Sequence, residues 1–330
     1  MAEIADQPAV REQLLDRRQT VELQIARAGY TPDLGRLLGE TDDALARLEN
    51  GSFGICETCL EPIETERVIA DPLVRFCLDH LTGPEQRALE HDLELAARIQ
   101  RRLLPIDHAR VNGWEITYQY EPVGVVSGDY CDLVPTDAGD LYFMIGDVSG
   151  NGVAASMLMA HLHATLRTLI LMGLPLDQLM ERASRLFCES ALPAHYATLV
   201  CGRATRDGAV DICNAGHPPP LLIREERVDR IDATGLPVGM FHSERFEVTR
   251  LELLPGETFL LYTDGVIEAQ SRSGDEYGGD RLSEIATTSR ALGLHELVTA
   301  CVKDLAAFRS GLKSTDDVTV MAIRRNQHEA

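Results

Sequence analysis

Aspartate beside glycine, at the ends of apolar runs, recurs through the second half of the chain. The segments are Ser127-Gly128-Asp129-Tyr130-Cys131-Asp132, Gly146-Asp147-Val148-Ser149-Gly150, Thr263-Asp264-Gly265 and Ser314-Thr315-Asp316-Asp317-Val318-Thr319. Three of them adjoin clear strand patterns, LYFMIGD, TFLLYTDG and DDVTVMAI. A strand that ends in Asp-Gly presents its carboxylate at a sheet edge and leaves backbone free to approach a ligand. One such segment alone reads as a turn; four together point to a shared site. Converging carboxylates need protons or cations, because two of them 4 Å apart repel by roughly 4 kcal/mol at an effective dielectric of 20. Oxygen-only ligands suit magnesium or manganese. Two such ions about 3.5–4 Å apart make a hydrolytic site for phosphate esters.

A second constellation lies earlier in the chain. Cys56-x2-Cys59 is followed, after 17 residues, by Cys77-x2-His80. Two short chelating pairs separated by a loop build a tetrahedral zinc site, and thiolate with imidazole favours zinc over magnesium or calcium. Four protein ligands leave no open position, so the spacing predicts a structural ion. In so short a segment zinc would supply on the order of 10–16 kcal/mol of folding energy.

The 330 residues carry 31 basic and 52 acidic side chains, a formal net charge of −21. Such a chain is not expected to coat nucleic acid or an anionic membrane, so no direct nucleic-acid or membrane partner is expected. Apolar residues make up 45%, enough for a sizeable core. The first residues, MAEIADQPAV, are acidic and lack the apolar run of a signal peptide. The most apolar stretch, Leu166 to Leu176, is short and interrupted by Arg167, so no membrane span is expected. Cytoplasmic residence is the expectation, and clustered cysteines there point to metal rather than to disulfides.

The elements that must position these groups fall into two textures. Residues 9–28 form an amphipathic helix with Val10, Leu14, Val21, Ile25 and Ala28 on one stripe, ended by Gly29. Thr31 and Pro32 open a second helix with Leu34, Leu38, Leu45 and Leu48, stopped by Asn50-Gly51. A third helix spans 84–104 and ends at Pro105. Beyond it, strand patterns appear at 114–120, 141–145, 197–201, 210–213, 221–223, 246–251, 258–262 and 318–323, with helices at 153–172, 176–190 and 294–309. Strands come in groups rather than in regular βαβ alternation, which predicts an α+β domain of mostly antiparallel sheets.

Two resemblances sharpen this reading. The run ALARLENGSFGICETCLEPI…ERVIADPLVRFCLDH, about residues 41–81, resembles the zinc finger of DksA/TraR-type proteins, with His80 where most of that family has cysteine. The hairpin ahead of it is far shorter than the polymerase-inserting coiled coil of such factors and lacks their paired acidic tip, so a sensing or protein-interaction module is the better expectation. The motifs SGDYCD, IGDVSGNG, NAGHPPP, GLPVGM, LYTDGVIEA and DDVTVMAI, in this order over about 110–325, resemble the metal-dependent protein phosphatase (PPM) family, SpoIIE/RsbU branch. That resemblance implies an α/β/β/α sandwich of two antiparallel sheets with two Mn2+ or Mg2+ ions at one edge. Asp147 would bridge both ions, the Val148 carbonyl would bind the second, and Asp264 and Asp316 the first. Asp317 is the alternative member of its pair, and Asp129 would bind a water or support the ligands. Asn214, Gly216 and His217 would form a loop near the cleft. Asn151 stands where many relatives have the histidine that protonates the leaving alkoxide. An amide cannot act as an acid at neutral pH, which leaves water or His217 as donor.

The helix DLELAARIQRRLLP (92–105) resembles the linker of RsbU-type phosphatases, which couples a sensory domain to the catalytic one and often joins two subunits. Gln100 would then be a register-fixing polar residue on an apolar seam. The expected organisation is a helical hairpin (1–50), a zinc finger (51–83), a linker helix (84–108) and a phosphatase domain (109–330). The implied function is hydrolysis of phosphoserine or phosphothreonine on a regulatory protein, an anti-sigma-factor antagonist in a partner-switching pathway, controlled by the zinc module. Two rival readings are a polymerase-binding regulator on a degenerate phosphatase fold, and a redox or zinc sensor that gates the phosphatase through Cys56, Cys59 and Cys77.

Overall fold

In the computed structural model, residues 7–191, 195–225, 227–241 and 245–326 are described. The chain divides into two compact units, Met1–Asp92 and Leu93–Ala330. Residues ahead of Gln7 and the side chain of Ala28 lie outside the described part.

In the first unit, α1 (Gln7–Ala28) buries Val10, Leu14 and Val21, the stripe read from the sequence. Helix α2 (Pro32–Asn50) packs on α1, forming the expected hairpin. The Thr31 hydroxyl accepts from the Leu34 amide (3.3 Å), Pro32 occupies the first turn, and Gly51 ends the helix at φ 77°. The α2 leucines are half-buried, while Thr41 and Ala44 are fully buried. A short α3 (Thr65–Ala70) follows within the cysteine segment. Helix α4 (Gly83–Arg101) starts in this unit and ends in the second, three residues short of the expected end.

The second unit holds two antiparallel sheets. One has six strands in the order β1 (His108–Val111), β2 (Trp114–Glu121), β11 (Val318–Arg325), β10 (Thr258–Tyr262), β7 (Leu221–Ile223) and β8 (Val228–Arg230). The other has five: β3 (Asp129–Pro135), β4 (Leu141–Val148), β5 (Ala197–Ala204), β6 (Ala209–Ala215) and β9 (Thr249–Glu252). Both faces of each sheet are covered, so central strands are buried throughout. On β4, Phe143 and Ile145 face the other sheet, while Tyr142 and Met144 face α5 (Gly152–Leu171) and α6 (Leu176–Ser190). On β10, Phe259 and Leu261 join the same inter-sheet core, while Leu260 and Tyr262 face α7 (Asp264–Ile267), α8 (Gly279–Thr288) and α9 (Leu294–Arg309). The result is the expected α/β/β/α sandwich.

Helix α5 is long and apolar enough to cross a membrane by length and composition. Its Ala155, Met159, Leu162, Leu166, Leu169 and Ile170 are buried in the core beside α6 and the five-stranded sheet. Strands β1, β3 and β8 and helices α3, α7 and α8 had no sequence expectation. The strand expected from Phe246 begins only at Thr249, because Phe246 is instead buried in the core beneath α5 and α6.

Candidate metal centre

Antiparallel pairing brings the aspartates to one edge of the sandwich. In the five-stranded sheet, β3 begins where β4 ends, and Asp129 pairs directly with Asp147. In the other sheet, β10 ends where β11 begins, with Tyr262 opposite Val320. Asp264, just past β10, therefore stands beside Asp316 and Asp317, just ahead of β11. The Thr263 amide donates to the Thr319 carbonyl (3.1 Å), and the Thr319 amide to the Thr263 hydroxyl (3.0 Å), which locks that junction.

Asp129 ties the two sheets together. It is 1% exposed, and its Oδ2 accepts from the hydroxyls of Thr263 (3.0 Å) and Thr319. Burial holds its carboxyl well above the ordinary range, and the neighbouring Asp147 and Asp317 add to this against the Thr319 and Thr263 hydroxyls. Asp147 is pushed up to about 8, first by burial and then by the charges of Asp264, Asp316 and Asp317. Asp264 is raised by burial and by Asp316. This mutual repulsion is what the sequence anticipated for converging carboxylates. Three carboxyls with raised proton affinity, gathered beside Asp316 with oxygen donors only, fit hard divalent cations.

Glycine makes the approach of these segments feasible. A Cβ on Gly128 would lie 2.9 Å from the Val148 carbonyl oxygen and 3.1 Å from Asp147 Oδ1, and one on Gly265 would collide with the Asp317 carbonyl. The Val148 carbonyl and the Asp147 carboxylate thus share one face beside Gly128. Asp317 differs from its neighbours. Its Oδ1 accepts from the Val123 amide (2.7 Å) and its Oδ2 from the Gly128 amide (3.1 Å), so it clamps the 122–128 loop, while the Asp316 Oδ1 accepts from the Asp317 amide (2.9 Å).

The same loop is held from its other side by Gln100. This side chain is buried, donates to the Ser127 carbonyl (2.6 Å) and accepts from the Ser127 amide (3.1 Å). The seam role expected for Gln100 is replaced: its amide completes backbone hydrogen bonds within its own unit, which a buried polar side chain requires. The roles of Gln100, Thr263, Thr319 and the Asp317 clamp escaped sequence reasoning. The threonines did flank the motifs, as Tyr-Thr-Asp-Gly and Asp-Val-Thr. Arg309, at the end of α9, donates to the Gly265 carbonyl (3.4 Å) behind Asp264, a cation that no motif marked.

The loop after β6 is a hydrogen-bonded turn. The Asn214 Oδ1 accepts from the His217 amide (2.9 Å), and its Nδ2 donates to the carbonyls of His217 (3.1 Å) and Ile231 (3.2 Å). Gly216 sits at φ 68° within it. His217 is buried, its Nδ1 lies 2.9 Å from the Thr198 hydroxyl, and burial pulls it down to about 3. It is neutral at physiological pH and is no proton donor of the imidazolium kind. Asn151 is exposed at the start of α5, with Asp316 and Asp317 on the wall of the same cavity.

The Cys56, Cys59, Cys77 and His80 ligand atoms all lie within 4.8 Å of one another. Cys59 Sγ is 3.8 Å from Cys77 Sγ, which is 3.2 Å from His80 Nδ1. A tight turn makes this possible: the Cys56 amide donates to Glu61, the Leu60 amide returns to Cys56, and Leu60 takes φ 61°. Burial would push the Cys56 thiol up, but backbone N–H groups of Cys59, Cys77 and Thr58 outweigh it and bring it down. Burial and the neighbouring thiols push Cys77 up. One thiol poised to ionise beside two others and an imidazole fits a soft tetrahedral cation.

A two-sheet sandwich with carboxylates gathered at one edge is the fold of PP2C-type, metal-dependent protein phosphatases. The family described as Stage II sporulation protein E (SpoIIE) matches residues 137–326, and the chain belongs to it. Asp129 lies just ahead of the matched segment. Among the relatives, Protein IcfG of Synechocystis is 29% identical over 264 residues, 71% of this chain and 42% of that protein. Phosphoserine phosphatase RsbP of Bacillus subtilis is 30% identical over 187 residues, 54% of this chain and 46% of that protein. The chain thus spans less than half the length of these two relatives. The solved RsbU and RsbW domains of Rv1364c from Mycobacterium tuberculosis superpose with a TM-score of 0.58 at 27% identity, covering 67% of this chain and 62% of that one.

Proposed function

We propose that the chain hydrolyses phosphoserine and phosphothreonine esters on a regulatory protein. The observation that carries this is the convergence of Asp129, Asp147, Asp264 and Asp316 at one sheet edge, each of the first three with its proton affinity raised by burial and by its neighbours. Asp147, the Val148 carbonyl, Asp264 and Asp316 hold two Mn2+ or Mg2+ ions, with Asp317 available beside them. When bound, such ions neutralise the phosphate and acidify water. Asp129 fixes the two sheet edges at the right separation through Thr263 and Thr319. Asn151 can orient the ester by hydrogen bonding but cannot donate a proton, and His217 is buried and neutral, so the leaving alkoxide takes its proton from water.

The substrate we favour is a phosphorylated anti-sigma-factor antagonist in a partner-switching pathway. This rests on family membership and on the likeness to RsbP. The Cys56/Cys59/Cys77/His80 cluster holds one structural Zn2+ in a DksA/TraR-like finger that brings an input to the catalytic domain. The organisation is a hairpin (1–50), finger (51–83), linker helix (84–108) and phosphatase domain (109–330), working in the cytoplasm. A homodimer through the linker helix is supported by Leu95 and Ile99, which are 43% and 56% exposed. The test is hydrolysis of a phosphoserine peptide against Mn2+ concentration. Manganese-dependent turnover that Asp147→Ala abolishes is expected; equal rates in the two proteins would remove Asp147 from the mechanism.

A second reading makes the finger a redox or zinc sensor through Cys56, Cys59 and Cys77, with the Cys59 and Cys77 sulfurs, 3.8 Å apart, near enough to join once the metal is lost. Peroxide would then eject zinc and change turnover. Cys131 is 1% exposed and shielded, so Cys131→Ser should leave that response intact.

A further inference from the structure

Beside the carboxylates lies a cavity of about 360 Å3 whose walls are largely apolar. Leu93, Val123, Val125 and Val153 line it, and Asp316 and Asp317 close one side. Val123, Val125 and Val153 are 49%, 50% and 46% exposed. Apolar side chains left half-open at a site mouth offer area that a ligand can cover. The volume is at the lower end for ligand pockets, room for a single branched side chain with its backbone.

The loop that forms one side of the pocket is held at both ends. The Val123 amide is fixed by Asp317 and the loop end by Gln100 at Ser127, so the pocket is preformed rather than a chance gap between mobile loops. Asp316, which stands beside Asp264 in the carboxylate cluster, is part of the wall, so anything seated here is adjacent to the reacting ester. None of the described lining residues is cationic. An acidic side chain entering would give up its water against three valines and a leucine with no cationic side chain to pair with, whereas an aliphatic one gains from the same burial.

We infer that this cavity is a specificity pocket for an aliphatic side chain, such as leucine, isoleucine or valine, adjacent to the phosphoserine of the protein substrate. The inference rests on the phosphatase reading and names the local sequence that reading leaves open. The phosphate is addressed at the carboxylate edge, and the neighbouring side chain seats between the 122–128 loop and the start of α5. Small phosphate esters that lack this side chain gain nothing from the pocket.

The experiment compares phosphoserine peptides carrying Leu, Ala or Asp at the positions immediately before and after the phosphoserine, with the full chain in Mn2+ and p-nitrophenyl phosphate as reference. At one of the two positions kcat/KM for Leu should exceed that for Ala by about tenfold, as burying a few methylenes in a pocket gives, and Asp should fall below Ala. In Val125→Ser and Val153→Ser the Leu-to-Ala ratio should fall toward one. A ratio is not moved by general loss of activity or folding. Anisotropy of the same peptides with a non-hydrolysable phosphonate should show the same ranking in affinity. Hydrolysis of p-nitrophenyl phosphate with no discrimination among the peptides at either position overturns the pocket and leaves the phosphatase standing. No hydrolysis of any ester overturns both.

Discussion

The charge packed at the sheet edge should make the metal-free protein lose stability as pH rises, and Asp147→Asn should remove much of that loss. In the folded chain Asp147 titrates at about 8, against an ordinary 3.8 in the unfolded chain. The folded state therefore holds a proton that the unfolded state has released throughout that window. Its stabilising effect is complete below pH 3.8 and is lost as pH rises through 8. At 1.36 kcal/mol per pH unit, the interval from pH 5 to pH 8 costs the wild type about 4 kcal/mol. For a domain of this size, about 2–4 °C of Tm accompanies each kcal/mol, so the melting point in chelator should drop by roughly 8–16 °C more in wild type than in Asp147→Asn. Saturating Mn2+ should abolish the drop in wild type, because cations take over the proton's role. The assay is calorimetry at pH 5, 6, 7 and 8, with and without chelator. Parallel Tm curves for the two proteins in chelator would refute the reasoning, since they would mean that Asp147 is an ordinary ionised carboxylate without close acidic neighbours.

Three further outcomes follow from the contacts. Thr319→Val takes one of two hydroxyls from buried Asp129 and should cost about 1–3 kcal/mol in urea unfolding; no change would show that Asp129 is bonded otherwise. Gln100→Ala removes both side-chain bonds to Ser127, so the Ser127 amide should exchange about 10–100-fold faster, and unchanged protection would detach Gln100 from the loop. Zinc analysis should give one ion per chain, reduced to none in Cys56→Ser. Chelation should release residues 51–83 to rapid proteolysis, reflecting on the order of 10 kcal/mol of metal-linked folding; a protease-resistant, metal-free segment would refute a structural zinc.

What could be read in the sequence and what could not divides along physical lines. The helix limits of α2 followed from Thr31, Pro32 and Gly51 because capping is local chemistry. Strand β10 was legible as an uninterrupted apolar run with a terminal Asp-Gly. Strand β3 was not, because SGDYCDLVP mixes acids and apolar residues. Its Asp132 lies on a strand only because Arg167, 35 residues away, supplies two hydrogen bonds of 2.7 Å to a fully buried carboxylate. Short β1 and β8, four and three residues long, are too brief for their own pattern to mark a strand and exist through pairing with β2 and β7.

The candidate site shows the same division at finer scale. The aspartates were legible as chemistry because Asp beside Gly at a strand end is a local pattern. Which aspartate does what is a matter of register. Asp316 and Asp317 are adjacent in sequence, yet a strand alternates its side chains, so the two must part company as β11 begins. One turns to the acidic cluster and the other to the amides of Val123 and Gly128, nearly two hundred residues away. Gln100 misled for the converse reason. A lone polar residue on an apolar helical stripe has the pattern of a coiled-coil register mark, but its meaning depends on whether a partner helix or a loop backbone faces it. Here a loop does, and that loop carries Val123 and Val125 of the specificity pocket at one end and runs through Gly128 into Asp129 at the other. The linker helix, the apolar wall and the carboxylate edge are thus joined by a single seven-residue segment, fixed at Val123, Ser127 and Gly128 by side chains from distant parts of the chain.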